Sequence, residues 1–332
     1  MTSASGAADS GRREADDPAP AVRLRWGATI SGSVVVTLVR PLSWAVGLAG
    51  FLAGGGLVLV TWPILVLPTP TGLQNALGGP VSSLVFGAPS GALVALIVGG
   101  LAGGVVLFGV GLLLGAWAER QGIGIALDAA AEEGIVTPAM DLVGAAGTGR
   151  VALVRLLSLA PVAVAMLLAW RPLYDVTYRE LILPEDLVTP LPLRVLRDLP
   201  VLVAAIVVTW LVSDAAGAVG VRRLVLERRP VLAAWLLGWA DLVRRPQRIL
   251  PTALVGVAAT VLVAGPGLIA AALGWGRVRD VMDVGDDPLA VLVAVVIWVS
   301  VWLGALVLAG VAAAFRTATW TLELPRPAPR DT

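Results

Sequence analysis

The chain contains no cysteine, no histidine and no lysine. Without cysteine and histidine, the protein has no disulfides, thiolate nucleophiles, iron–sulfur clusters, zinc sites built on those residues or Ser-His-Asp triads. The absence of lysine also excludes P-loop lysines, Schiff bases and lysine general bases. Catalysis would depend on Asp, Glu, Tyr and hydroxyl groups, or on magnesium held by carboxylates. We therefore predict that the protein is not an enzyme and carries no cofactor or metal.

Charged residues are scarce, whereas apolar residues are abundant. Charged side chains make up 14% of the 332 residues and hydrophobic side chains 58%, and the mean hydropathy is +0.88. A soluble globular domain does not need this much apolar surface, because its own exterior must be wetted. The composition therefore predicts an integral membrane protein.

Six apolar runs are long enough to cross a membrane. A helix that crosses about 30 Å of hydrocarbon needs about 20 apolar residues. A Leu-Val-Arg triplet accompanies the start of the first, third and fifth runs, which is compatible with a duplicated helical hairpin. We predict an all-α polytopic membrane helical bundle, with six transmembrane helices as three hairpins in a membrane domain of residues 23–322. The predicted spans are residues 42–67, 91–117, 151–170, 199–220, 249–274 and 288–314.

The arginines are distributed unevenly between the two sides of the predicted membrane. Eighteen of the 24 lie on the side that holds both termini, and six lie on the other side. Positive charge concentrates in cytoplasmic segments, so we predict a bacterial plasma (inner) membrane protein with both termini in the cytoplasm. The terminal segments 1–22 and 323–332 are polar or proline-rich, which predicts disordered cytoplasmic tails.

Residues 231–243 form an apolar stretch that is too short to span a membrane, with arginine pairs before and after it. This pattern predicts a short cytoplasmic interfacial helix. Trp235 and Trp239 would share one face and anchor it among the lipid headgroups, whereas Asp241 would face water. Such a helix is either a packed connector under the bundle or a docking surface for a cytoplasmic protein partner, and the connector is the favoured interpretation.

Glycines recur at small-xxx-small spacing in the first two spans, a pattern typical of close helix packing in lipid. They predict packing between these spans within one molecule, and a homodimer contact is the alternative. The glycines concerned are Gly50, Gly54, Gly99, Gly100, Gly103, Gly104, Gly111 and Gly115.

Gly265-Pro266-Gly267 lies close to the middle of the fifth span. Proline removes a helix hydrogen bond and clashes with the preceding turn, so a helix kink is expected here. A broken helix that exposes backbone groups to an ion or substrate is the alternative.

Asp214 is the one acidic residue that we place well inside the apolar part of a predicted span, and that span is the fourth. Arg155 lies at nearly the same depth in the third span, counted from the same side of the membrane. Ionisable groups in lipid usually find a partner, so we predict an Arg155–Asp214 ion pair. Proton or cation coupling through Asp214 is the alternative.

These observations predict a non-enzymatic integral membrane protein that acts through membrane lipid or protein partners. The alternative is a permease-like subunit of a transporter energised by a separate ATPase, with residues 231–243 as the coupling helix. No nucleic-acid partner is expected, because the sequence lacks a basic and aromatic surface large enough to bind one. Gly122-Ile123-Gly124 follows a membrane span and not a strand, so it fails as a dinucleotide loop.

Overall fold

A computed structural model of the chain describes residues 24–61, 64, 75, 90–136, 146–182, 189–284 and 287–324. Apart from turns and connections, this part of the chain is helical and contains no strand. Six of its helices are long and apolar enough to cross a membrane. The all-α architecture and the number of six candidate spans are therefore confirmed. The predicted tail 1–22 lies outside the described residues, as do residues 325–332.

We number the helices in chain order. The candidate spans are α2, α3, α4 continued by α5, α7, α9 continued by α10, and α11. The bounds are α1 Trp26–Val39, α2 Leu42–Thr61, α3 Gly91–Glu132, α4 Thr148–Ser158, α5 Ala160–Ile182, α6 Leu191–Asp198, α7 Pro200–Leu226, α8 Val231–Arg244, α9 Pro246–Ala259, α10 Gly265–Val284 and α11 Pro288–Glu323.

Several of these helices begin at residues that favour a helix start. Proline is the first residue of α7, α9 and α11, where its missing N–H removes no helix hydrogen bond. The Ser90 hydroxyl accepts from the Leu93 amide at the start of α3, and the Asp287 carboxylate accepts from the Leu289 amide at the start of α11. These caps satisfy amide groups that the first helical turn leaves free.

The helices run further than the apolar stretches of the sequence. α3 continues from the predicted end at residue 117 to Glu132, and α11 continues from residue 314 to Glu323, the first residue of the predicted tail. An apolar run marks the length suited to hydrocarbon, whereas a helix continues as long as its backbone hydrogen bonds do. Charged residues that follow the apolar runs in the sequence therefore lie within the same helices.

Small residues allow α2 and α11 to cross in close contact. A Cβ added at Gly47 would lie 2.5 Å from the carbonyl oxygen of Gly310, and one added at Gly310 would lie 2.5 Å from that of Trp44. Both distances are too short for a real side chain. Glycine at both positions is therefore what permits this crossing.

The predicted glycine contact between α2 and α3 involves only part of the glycine series. Added Cβ atoms at Gly111 and Gly115 would lie 3.4 and 3.5 Å from atoms of Ala53 on α2. Among the described residues, no atom lies within 4 Å of such a Cβ at four other positions on α3: Gly99, Gly100, Gly103 and Gly104.

One end of the bundle gathers α1, α8 and the last turns of α3, α7 and α11, and we call it the α8 end. Val36 of α1 packs with Ala130 of α3 and Leu322 of α11. Ala234 of α8 packs with Val154 of α4 and Val225 of α7. A third buried cluster joins α7, α8, α9 and α11 around Trp320. The α8 end therefore holds the three buried apolar clusters found in the described part of the chain.

Candidate functional site

Five charged side chains from four helices meet toward the α8 end, and we call them the five-charge cluster. Glu119 comes from α3, Arg155 from α4, Asp214 and Arg222 from α7, and Arg316 from α11. All five lie within helices that are candidate membrane spans. Ionisable groups in such helices are costly unless they are paired, so this cluster is the candidate functional site.

Arg155 lies between the two carboxylates of the cluster. Its Nε and Nη2 atoms donate to Oε2 and Oε1 of Glu119 at 2.6 and 2.7 Å. Its Nη1 atom donates to Oδ1 of Asp214 at 3.1 Å and to the Asp214 carbonyl oxygen at 3.2 Å. A guanidinium that binds both oxygens of one carboxylate makes a strong and directional contact. Arg155 thus joins α3 to α7 through α4.

The other two arginines complete the pairing. Nη1 of Arg222 donates to Oε1 of Glu119 at 2.6 Å and to the Ala218 carbonyl oxygen at 3.0 Å. Arg316 donates through Nη2 to Oδ2 of Asp214. Each carboxylate therefore contacts two arginines, and α11 is tied to α7 by a charged contact.

Small residues provide the space for these long side chains. A Cβ added at Gly217 of α7 would lie 3.0 Å from Nη1 of Arg155 and 3.0 Å from the Ser158 hydroxyl oxygen. A Cβ added at Gly256 of α9 would lie 2.9 Å from Cγ of Arg316. The local sequence thus leaves room for both guanidinium groups between helices that are otherwise closely packed.

The cluster is mostly withdrawn from solvent and is nearly balanced in charge. The side chains of Arg222 and Glu119 are 2% and 10% exposed, and those of Arg155 and Asp214 are 23% and 21% exposed. Three arginines face two carboxylates, which leaves one positive charge in excess. Buried charges of opposite sign compensate each other, and the loss of one partner leaves a charge that neither water nor protein neutralises. This arrangement suits a clamp that holds four helices together.

The sequence pointed to Arg155 and Asp214, and the structure places their side chains in contact at 3.1 Å. The sequence prediction did not include Glu119, which lies two residues beyond the predicted end of the second span. It also missed Arg222 and Arg316, which served only as indicators of orientation. Extending the helices beyond the apolar runs would have placed Glu119 near the depth of Arg155, which is the signal that could have found it.

The two tryptophans singled out on α8 are half-buried. The Nε1 atoms of Trp235 and Trp239 are buried and have no hydrogen-bond partner among the described residues. Trp239 packs against the buried cluster around Trp320, so part of its ring contacts other helices of the bundle. The role of both rings as headgroup anchors stays a prediction.

The expectation that Asp241 faces water is wrong. Asp241 is 9% exposed, and its Oδ2 atom accepts from Nε and Nη2 of Arg223 at 3.1 and 2.7 Å. A buried charge without a partner is costly, and Arg223 supplies that partner. Asp241 therefore helps to fasten α8 onto α7.

Gly265-Pro266-Gly267 lies at the start of α10, directly after a π-helical turn formed by Thr260–Ala264. The Gly265 amide donates to the carbonyl oxygens of both Thr260 and Val261. Proline has no N–H to continue the regular ladder, which accounts for a change of helix type at this point. The triplet lies on a different segment from the residues of the five-charge cluster.

Among the described residues, no three Asp or Glu side chains come together in a way that could hold a metal ion. No protein-family model, no curated protein and no solved structure matches the chain.

Proposed function

We propose that the chain is a non-enzymatic integral membrane protein that acts through lipid or protein partners, with the five-charge cluster as its internal clamp. The observation that carries this proposal is the double pairing of each carboxylate. Glu119 contacts Arg155 and Arg222, and Asp214 contacts Arg155 and Arg316. A carboxylate that couples transport to protons or acts on a substrate must be free to exchange partners. Both carboxylates are instead engaged within the bundle.

The membrane setting that we propose is a bacterial plasma membrane, with the six spans as three hairpins and both termini in the cytoplasm. Contacts between consecutive spans support the hairpins, since α2 packs on α3, α5 on α7 and α10 on α11. The excess of arginines on the side of the termini supports the orientation. The α8 end would then face the cytoplasm.

In this setting α8 is a cytoplasmic interfacial helix and α1 has the same role. The outer face of α8 exposes Leu232, Leu236 and Val243, which are 59%, 53% and 77% exposed. α1 exposes Leu38 and buries the polar Ser33, the reverse of a helix on a water-soluble protein. An apolar outer face suits lipid at the membrane boundary. Membrane lipid is therefore the first partner that we propose.

The competing function is a permease-like subunit whose α8 transmits force from a separate ATPase. Such a helix would offer polar groups to a water-soluble partner, as interfaces with transient partners usually do. On α8, Asp241 is instead buried against Arg223, and the outer face is made of leucine and valine. This distribution favours the interfacial helix.

Purification from native membranes in a mild detergent, followed by mass spectrometry of bound proteins, tests the proposal against its competitor. We expect no ATPase at stoichiometric amounts. The matched variants are Leu232→Ser with Leu236→Ser, which alter the outer face of α8, and Leu254→Ser on α9, which is 64% exposed and lies elsewhere on the surface. A stoichiometric ATPase that is lost only with the α8 variants would overturn the proposal and establish α8 as a coupling helix.

A further inference from the structure

The outward side of α8 carries an apolar stripe. Leu232, Leu236 and Val243 are exposed and recur at spacings of four and seven residues, which places them on one side of the helix. The other side of α8 is packed against the bundle and includes the buried residues Ala234 and Gly238. An exposed apolar stripe on an otherwise packed helix is suited to contact with lipid or with another protein.

Exposed arginines lie at both ends of this stripe. Arg228 and Arg229 precede α8, Arg244 is its last residue and Arg245 follows it. Arg150 of α4 joins the first group, because its Nη2 atom donates to the Arg229 carbonyl oxygen at 3.4 Å. All five side chains belong to exposed residues. We call these five arginines and the apolar stripe between them the α8 surface.

The protein compensates little of the positive charge on the α8 surface. Residues 223–245 contain five arginines and two acids, and both acids contact Arg223. Arg150, Arg244 and Arg245 make no ion pair with any residue that the structure describes. The α8 surface is therefore complementary in charge to a negatively charged partner.

The two groups of arginines are too far apart to bind one small anion. α8 contains 14 residues. At about 1.5 Å per residue it is about 21 Å long, which is more than a single phosphate group can bridge. A partner that presents many negative groups in one layer can contact the arginines at both ends. If that layer also offers hydrocarbon, it can cover the stripe between them.

We propose that the α8 surface binds anionic phospholipids at the membrane boundary. The arginines at the two ends of α8 contact the phosphates of separate lipids, and Leu232 and Leu236 insert among the first carbons of the acyl chains. Anionic lipids are preferred over zwitterionic ones, because the attraction depends on the net charge of the lipid. The inference rests on the proposed function, in which lipid covers the outer face of α8, and it adds the class of lipid.

Quenching of a fluorophore on α8 by nitroxide-labelled lipids tests this preference. The chain has no cysteine, so Leu236→Cys gives a single thiol on the stripe and Leu254→Cys gives one at an exposed position on α9. The full-length protein is reconstituted into bilayers in which phosphatidylglycerol, phosphatidylserine or phosphatidylcholine carries the nitroxide on the same acyl carbon. We expect each anionic lipid to be enriched about tenfold over phosphatidylcholine at position 236, as one or two arginines in contact with each lipid would give, and not at position 254.

The variant that tests the arginines is Arg244→Gln with Arg245→Gln. It should reduce the enrichment at position 236 about fivefold, the effect expected for the loss of one arginine contact per lipid. The matched control is Arg277→Gln with Arg279→Gln, which removes the same charge from exposed positions on α10 and should leave the enrichment unchanged. A higher salt concentration should also weaken the enrichment, because salt screens exposed charges.

Equal quenching by all three lipids at position 236, or an equal effect of the α10 control, would overturn the proposal. A preference for only one of the two anionic lipids would indicate recognition of a particular headgroup and would overturn it as well. Both results would leave the proposed function standing, since lipid would still cover α8.

A different result would count against the proposed function itself. If no lipid quenches the fluorophore at position 236 while all three quench it at position 254, α8 is covered by protein or water, and both proposals are wrong. Size-exclusion chromatography checks that each variant is folded. If Leu236→Cys does not fold, Leu232→Cys on the same stripe gives the same measurement.

Discussion

Arg155 holds both carboxylate oxygens of Glu119, with Nε 2.6 Å from Oε2 and Nη2 2.7 Å from Oε1. The same guanidinium reaches Asp214 through its remaining nitrogen. One side chain of α4 therefore connects α3 and α7, and the stability of the α8 end should depend on it more than on any isolated surface pair.

Glu119→Gln should lower the stability of the protein in detergent strongly, by about 3 kcal/mol, because it leaves Arg155 and Arg222 without their shared carboxylate. The readout is the thermal unfolding temperature by intrinsic tryptophan fluorescence. The control is Glu132→Gln on the same helix, whose exposed pair with Arg40 should contribute less than about 1 kcal/mol. Equal shifts for the two variants would contradict the clamp.

The exchange of Arg155→Asp with Asp214→Arg should not restore the stability lost in the single variants. An isolated ion pair, as the sequence suggests, would tolerate such an exchange. In the structure an aspartate at position 155 would face Glu119, and an arginine at position 214 would face Arg316. Like charges would then oppose each other on both sides. Recovery of the unfolding temperature toward that of the unmodified protein would show that Arg155 and Asp214 form an isolated pair.

Asp241→Ala should destabilise the attachment of α8, by about 1–3 kcal/mol, because Arg223 would lose a carboxylate that it contacts through two nitrogens. Limited proteolysis around α8 and the unfolding temperature both report this loss. Asp128→Ala, at an exposed position on α3, is the control and should change neither. If both variants resist proteolysis equally, Asp241 contributes nothing to the attachment.

Gly238→Ala should also loosen α8, because an added Cβ would collide with the carbonyl oxygen of Ala216 and lie 3.0 Å from the Gly220 amide nitrogen. Overpacking of this kind costs about 1–3 kcal/mol. Gly276→Ala on α10 has no neighbour within 4 Å among the described residues and should be neutral or slightly stabilising, since alanine favours a helix. The unfolding temperatures of the two variants should therefore move apart.

The proposed orientation can be tested by chemical labelling without background, because the chain has no cysteine. Tyr178→Cys on α5 and Arg244→Cys on α8 introduce single thiols at exposed positions. A membrane-impermeant maleimide should label the first in intact cells and the second only after the membrane is opened. Labelling of both in intact cells would place them on the same side and contradict the six-span topology.

The apolar runs predict the helical class and the number of candidate spans correctly, because length and hydropathy alone decide whether a helix can cross hydrocarbon. They do not predict where a helix ends. α3 reaches Glu132 and thereby carries Glu119 into the bundle, although its apolar part ends at residue 117. Local sequence cannot show this, since backbone hydrogen bonding continues through polar residues as long as a neighbouring helix packs against them.

The sequence by itself determined that the chain is helical, that six of its helices are long and apolar enough to cross a membrane, and that its arginines are unevenly distributed, because these properties follow from composition along the chain. Only the tertiary structure decided which charges meet. Glu119 and Arg222 are 103 residues apart in the sequence, and Asp214 and Arg316 are 102 residues apart, yet the two side chains of each pair are in contact. Such pairing depends on the crossing and depth of several helices at once, and small residues such as Gly217 and Gly256 decide it by leaving room for a guanidinium.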